Sequence, residues 1–172
     1  MTAAHDFTPL ALCVLTVSDT RSLADDSSGD YLAAALTEAG HRLHDRALLP
    51  DDKYRLRAQV SQWIADPAAD GILVTGGTGF TGRDSTPEAL LPLLDKQMSG
   101  FGELFRALSY EEIGTSTLQS RAFAGLANGT FLFALPGSNS ACRTAWDKII
   151  HAQLDARTTP CNLATLSPRL KE

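Results

Sequence analysis

The chain has 172 residues, 44% of them hydrophobic, and a formal net charge of −5 with the four histidines neutral. That length and apolar content suit one α/β domain spanning 1–172 with a sizeable core and irregular ends at 1–9 and 158–172, while the mild acidity and the lack of a lysine or arginine stripe argue against nucleic-acid or membrane-surface binding. No run approaches bilayer-spanning length, residues 1–9 lack the pattern of a signal peptide, and Cys13, Cys142 and Cys161 are too scattered for a disulfide framework or a zinc site, so a cytoplasmic protein with reduced thiols is expected.

In chain order, "LALCVLTV" (10–17) is a continuous apolar run ending in small polar residues, the pattern of a strand buried on both faces of a parallel sheet. "SGDYLAAALTEAG" places Tyr31, Leu32, Ala35, Leu36 and Ala39 on one helical stripe, starts at capping serines and stops at Gly40. "HRLHDRALLP" reads as a weaker strand. "DDKYRLRAQVSQWIAD" returns to helical spacing at Leu56, Val60, Trp63 and Ile64 before Pro67, and "GILVT" is the third strand. A strand-helix-strand-helix-strand series with right-handed crossovers winds into a sheet covered by helices on both faces.

Pro87 suits the first turn of a helix reaching about Leu94, and "GFGELFRALSYEEI" repeats Phe101, Leu104, Phe105 and Leu108 at helical spacing. "FAGLANGTFLFALP" is a pair of apolar runs joined by Asn128-Gly129, a hairpin signal that makes one edge of the sheet antiparallel. The last helix, "GSNSACRTAWDKIIHAQL", is capped by Ser138 or Ser140 and turns Ala145, Trp146, Ile149 and Ile150 inward. The expected fold is therefore α/β, three-layered, with a mostly parallel sheet, helices on both faces and an antiparallel edge hairpin.

The stretch "ILVTGGTGFTGRDSTPEALL" (72–91) is the most unusual in the chain. Gly77, Gly79 and Gly82 satisfy G-x-G-x-x-G, but the dinucleotide fingerprint follows the first strand and starts its helix within the glycines, whereas here the helix starts later, at Pro87 after the third strand. A P-loop is excluded as well, since no Gly-Lys-Ser/Thr follows. One reading is a sharp strand-to-helix turn without a ligand. The other is a bed of backbone N–H groups, free of Cβ atoms, for an anion or nucleotide. In a parallel sheet, Ser18 and Asp19, Asp51 and Asp52, the glycine loop, and Pro136, Gly137 and Ser138 all lie at carboxyl ends of strands, the rim where open α/β sheets bind ligands. On that rim Asp51 and Asp84 are candidates to hold one hard cation such as Mg²⁺ beside phosphate oxygens. Their alternatives are a helix N-cap shared with Asp52 and an Asx-turn, respectively. Pro136, Gly137 and Ser138 are either a plain strand-to-helix turn or, since they lead into a helix whose start favours negative charge, an anion site.

The motifs "TVSD", "DDSSGDYL", "LLPDD", "VTGGTGFTGRDSTPEA", "GFGELFR", "QSRA" and "LPGS" resemble those of the MoaB/MogA family of molybdenum cofactor biosynthesis proteins and cover nearly the whole chain; "EEIGTSTLQSRA" and "ACRTAW" are similar to its protein B branch. The resemblance implies a molybdopterin adenylyltransferase, which uses ATP and Mg²⁺ to adenylylate the terminal phosphate of molybdopterin with release of pyrophosphate. By motif, it implies that Asp51 and Asp84 serve the metal and the reacting phosphates, that Thr75, Gly76, Gly77, Thr78 and Gly79 bind the nucleotide, and that Ser18, Ser120, Pro136, Gly137 and Ser138 line the pterin and phosphate side. It also implies a homo-oligomer, trimer or hexamer, with small-molecule substrates as its other partners. The second reading is a non-catalytic molybdopterin-binding or assembly role in the same pathway. The nucleophile in such a transfer is already a phosphate anion, so no histidine base is needed, and His5, His41, His44 and His151 form no cluster in the sequence.

Overall fold

The apolar runs become the middle of a six-stranded sheet. A computed structural model describes residues 5–170. Its strands, β1 (Ala11–Val17), β2 (Arg42–Leu49), β3 (Gly71–Thr75), β4 (Lys96–Gln97), β5 (Phe123–Ala127) and β6 (Thr130–Leu135), lie in the order β2-β1-β3-β6-β5-β4. Strands β2, β1, β3 and β6 are parallel, and β5 and β4 extend the sheet antiparallel. The fold is thus the mostly parallel α/β sheet with an antiparallel edge that the sequence pattern predicts. Asn128 and Gly129 turn the β5-β6 hairpin with φ of 49° and 76°, the left-handed pair that a tight two-residue turn requires. Two-residue β4 has no periodicity to detect and is absent from the sequence reading.

Six α-helical segments flank the sheet: α1 (Ser27–Glu38), α2 (Lys53–Ala65), α3 (Thr86–Leu90), α4 (Ser99–Ile113), α5 (Asn139–Ala145) and α6 (His151–Leu154), the last two joined by a π-helical turn, Trp146–Ile150. Because side chains alternate across a strand, the central strands supply two separate cores. Leu12, Val14, Leu73, Phe131, Phe133 and Leu135 face α1, α4 and the α5–α6 helix. Leu15, Ile72, Val74 and Leu132 face α2 and α3 through Leu56, Val60, Trp63 and Leu90. The expected inward residues of the last helix, Ala145, Trp146, Ile149 and Ile150, are all buried, and Ser138 is its cap, accepting from the Ala141 amide at 3.2 Å. Among the described residues no helix is long and apolar enough to cross a membrane. Part of the two chain ends read as irregular, residues 1–4 and 171–172, lies outside the described residues, and Ala164–Arg169 form a 3-10 helix.

Two caps differ from expectation. The serines do not cap α1; Asp26 does, accepting from the Gly29 amide at 3.0 Å, because its longer side chain also reaches Thr16 Oγ1 at 2.8 Å and Arg46 Nη2 at 2.7 Å. Asp52 alone caps α2, accepting from the amides of Tyr54 and Arg55, which releases Asp51 for other contacts.

Asp26 is fully buried and joins β1, the start of α1 and β2. Burial alone raises its pKa, but the bonds from Arg46, Thr16 and Gly29 outweigh burial and hold the carboxyl below its ordinary range. Its stabilising contribution is therefore complete above the ordinary carboxylate range and is lost as pH falls through the lowered value. Asp26→Asn is expected to cost about 3 kcal/mol in urea unfolding at pH 7, the low end for a broken buried ion pair, because Arg46 keeps Asp30 at 2.7 Å. The gap between the two proteins should narrow as the titration is repeated at increasingly acid pH.

Candidate functional site

Three strand ends meet at one glycine. The Gly76 amide donates to Leu135 O at 2.9 Å, its φ is +105°, and a Cβ there would lie 2.2 Å from Val17 O. Gly137, from the loop after β6, approaches so closely that its own Cβ would meet Gly76 Cα at 3.3 Å. Thr75, fully buried beneath, donates from Oγ1 to Pro136 O at 3.0 Å and ties the ends of β3 and β6 together. The loops after β1, β3 and β6 thus share one floor.

The glycine loop is held by its carbonyls. Gly76 O accepts from Thr86 Oγ1 at 2.8 Å and Gly77 O from the Thr86 amide at 3.0 Å. Thr78 O accepts from the Arg121 amide at 3.0 Å and Gly79 O from Arg121 Nε at 2.8 Å. With four successive carbonyls turned towards the protein, the amides of Gly77, Thr78 and Gly79 donate to none of the described residues. Arg121 completes the clamp by donating to Asp84 O at 2.9 Å, pairing with Glu88 and lying over the Phe80 ring. Sequence reading missed this role because Arg121 is 42 residues from the loop that it holds.

Both candidate acids border this loop. A Cβ on Gly77 would lie 2.5 Å from Asp51 Oδ2, and one on Gly79 would lie 2.7 Å from Asp84 Oδ2. Asp84 Oδ2 accepts from Thr81 N at 2.8 Å and Thr81 Oγ1 at 2.7 Å, so it reaches back three residues rather than forward two as an Asx-turn does. Its Oδ1 accepts no hydrogen bond from the described residues. Asp51 Oδ1 accepts from the Ser85 hydroxyl and amide, the latter at 3.1 Å, while Oδ2 has only a longer 3.3 Å contact to that amide. Burial pushes the Asp51 carboxyl above its ordinary range; the Ser85 bonds pull it down, and the negative charges of Asp84 and Asp19 push it further up. Asp19 accepts from the Asp51 amide at 3.0 Å and pairs with Arg83 at 2.7 Å, latching the loop after β1 to the glycine loop.

Above the floor opens a cleft of about 650 Å³, a size usual for small-ligand sites. Gly76, Gly77, Thr78, Gly79 and Asp84 line one side. Ser18, Ser120, Pro136, Gly137 and Ser138 also line it, bringing together segments from four parts of the chain. Thr75 and Asp51 do not line it; they lie behind the loop, Asp51 with 9% of its surface exposed. Ser18 Oγ accepts from the Arg21 amide at 3.0 Å and so shapes its own loop. Arg21, not singled out in the sequence, is the one basic side chain lining the cleft among the described residues. It is steadied by bonds from Nη1 to Ser28 Oγ at 2.7 Å and from Nη2 to Gly137 O at 3.4 Å. Its place two residues after "TVSD" was the available signal. The far wall is built by α4 and the following 3-10 helix, Gly114–Gln119, which contribute Phe105, Ser109, Glu112 and Ser116.

The other reactive side chains do not line the cleft, although the Cys142 thiol lies beneath its floor, 3.2 Å from Thr75 Oγ1. Burial pushes the Cys13 thiol up to about 12 and that of Cys142 up to about 11, so both remain protonated. His41 is buried against Phe7 and Trp146 with Nδ1 accepting from the Leu10 amide at 3.1 Å, and His44 pairs with Asp66. Among the described residues, no group of three or more His, Cys, Asp and Glu is arranged to hold a metal by protein ligands alone.

Comparison with known proteins gives the same picture a family. Residues 13–156 match the model described as "Probable molybdopterin binding domain". Molybdenum cofactor biosynthesis protein B of Escherichia coli (strain K12) is 56% identical over 97% of this chain and 96% of its own, and that of Bacillus subtilis (strain 168) is 43% identical over 82% of this chain and 84% of its own. A crystal structure of a molybdenum cofactor biosynthesis protein B superposes with a TM-score of 0.86 at 38% identity, covering 95% of this chain and 96% of that one. The tungsten cofactor synthesizing protein MoaB from Pyrococcus furiosus superposes at 0.78 and 34% identity, covering 95% and 98%. Family model, identity and superposition agree over nearly the full length, and the chain belongs to the molybdenum cofactor biosynthesis protein B family.

Proposed function

We propose that the protein acts in molybdenum cofactor biosynthesis as a Mg²⁺-dependent molybdopterin adenylyltransferase. A terminal phosphate oxygen of molybdopterin attacks the α-phosphorus of ATP, the bond from that phosphorus to the bridging oxygen breaks, and pyrophosphate leaves with its electron pair. The observation that carries this reading is the set of three adjacent amides, of Gly77, Thr78 and Gly79, without acceptors among the described residues beside two carboxylates. Such amides supply fixed partial positive charge to phosphate oxygens and need no reorganisation during the reaction. Arg21, at the junction of the loops after β1 and β6, adds a full positive charge for a second phosphate. Thr75 holds the two strand ends in register, while Ser18, Ser120, Pro136, Gly137 and Ser138 form the surface against which the pterin phosphate packs.

The donor set fits Mg²⁺, which takes one or two carboxylates and fills its remaining positions with water and substrate phosphate. Asp84 offers Oδ1 and Asp51 its less engaged Oδ2, and no basic side chain hydrogen-bonds to either oxygen among the described residues. The Asp51 carboxyl is pushed up first by burial and then by the charges of Asp84 and Asp19, a setting that a bound cation would relieve. Bound there, Mg²⁺ would withdraw charge from the phosphates. The chain's own part is alignment of the two phosphates, since the attacking group is anionic without help from a base. We further propose that the protein works as a trimer or hexamer, which mass measurement in solution tests.

Asp84→Asn is expected to lower pyrophosphate release from ATP, Mg²⁺ and molybdopterin by at least about 100-fold, the scale of losing one pre-set electrostatic group, while leaving the circular dichroism spectrum unchanged. Unaltered turnover would remove the metal assignment, and binding of both substrates without pyrophosphate release by the wild-type protein would favour the binding or assembly role.

Asp51→Asn should be equally inactive but more heat-stable at pH 7. A carboxyl whose folded pKa is raised binds its proton more tightly in the folded state, so stability falls as pH climbs from the ordinary carboxylate range through the raised value. The amide removes that loss. Melting curves without ligands should show the variant's advantage at neutral pH and its disappearance below the ordinary carboxylate range.

A further inference from the structure

Glu112, near the end of α4, lines the cleft wall and also borders a smaller cavity of about 210 Å³ next to it. One of its oxygens is committed: Oε1 accepts from Thr144 Oγ1 at 2.8 Å and from Lys148 Nζ at 3.3 Å. The other, Oε2, accepts from none of the described residues. The carboxylate is thus oriented by two donors and carries an unused acceptor at a cavity wall. Its hydrogen bonds from Thr144 and Lys148 keep it ionised, below the ordinary glutamate range. Its partner Thr144 lies six residues along the last helix from Ser138, roughly 9 Å at helical rise, so Glu112 meets the cleft well along that helix from the loop after β6.

We propose that Glu112 reads the 2-amino-4-oxopyrimidine edge of the pterin and is a specificity-determining residue of the cleft. This rests on the molybdopterin reading given above. The pterin edge presents two adjacent N–H donors, which the two lone pairs of the open Oε2 can accept. The corresponding edge of adenine presents an amino group next to an acceptor nitrogen, which a carboxylate repels, so the same site does not hold the nucleotide base. The cleft therefore has an anion-binding end at Arg21 and the glycine loop and a donor-binding end at Glu112.

Glu112→Gln keeps the shape and the Thr144 bond but turns an NH₂ towards the pterin donors. Anaerobic titration of the full-length protein with molybdopterin should show a Kd raised at least tenfold, the scale of one hydrogen bond to a charged group. Affinity for Mg-ATP and the melting temperature should remain those of the wild type. Lys148→Met, which removes the tether and leaves the carboxylate in place, should bind molybdopterin normally. The assignment is overturned if Glu112→Gln binds molybdopterin as the wild type does, if both variants weaken binding alike, or if ATP affinity falls equally. A wild-type protein that binds no molybdopterin would remove both this assignment and the reading beneath it.

Discussion

The approach of three strand ends at Gly76 is the constraint on which the site depends. Parallel pairing of β1, β3 and β6 brings Val17 O, the Gly76 amide and Gly137 within van der Waals reach, and no side chain fits between them. The glycine loop must then leave the sheet with left-handed backbone at Gly76 and Gly77, and only residues without a Cβ do so at low cost. From that departure follows the rest of the arrangement: carbonyls turned back onto Thr86 and Arg121, amides turned outwards, and two acids packed against the loop's bare Cα atoms.

The electrostatics of the site and of the scaffold are opposite in kind. Asp26 is a buried acid with a matched cation and two further donors, and it strengthens the junction of β1, α1 and β2. Asp51 is a buried acid beside other acids, with Ser85 as its main donor. A fold selected for stability alone would neutralise the second as it does the first. Asp51 is held by hydrogen bonds from Ser85 rather than by an ion pair, so the cost of its burial and the repulsion from Asp84 and Asp19 remain in the folded protein.

The central strands were legible because apolar runs such as 10–17 and 71–75 announce burial on both faces, and Asn128-Gly129 named its turn unaided. The rim was legible too, since once the sheet was read as parallel its carboxyl ends had to gather. What sequence could not show were bonds between distant segments. Arg121 clamps a loop 42 residues earlier, Arg21 reaches a carbonyl 116 residues later, and Asp51 finds Ser85 rather than the helix start beside it. The α1 cap was misassigned for a related reason: Asp26, Ser27 and Ser28 all suit the position, and only the tertiary partners Thr16 and Arg46 select the aspartate. Separating direct contact from support was equally hidden, for Thr75 and Asp51 occupy the expected place in the chain but lie behind the surface that Gly77 and Asp84 present.

The two sides of the cleft differ in how freely they can change. Its floor is main chain, crowded against main chain, so a mutation there has no room to be gradual. Its far wall is made of α4 side chains and the turn after them, where Ser109, Glu112 and Ser116 project from a scaffold anchored in the core by Phe101 and Phe105. On the function proposed above, ligand preference can drift by ordinary single substitutions along one helix while the glycine floor stays fixed, and a designer wishing to retune the cleft would begin on that wall.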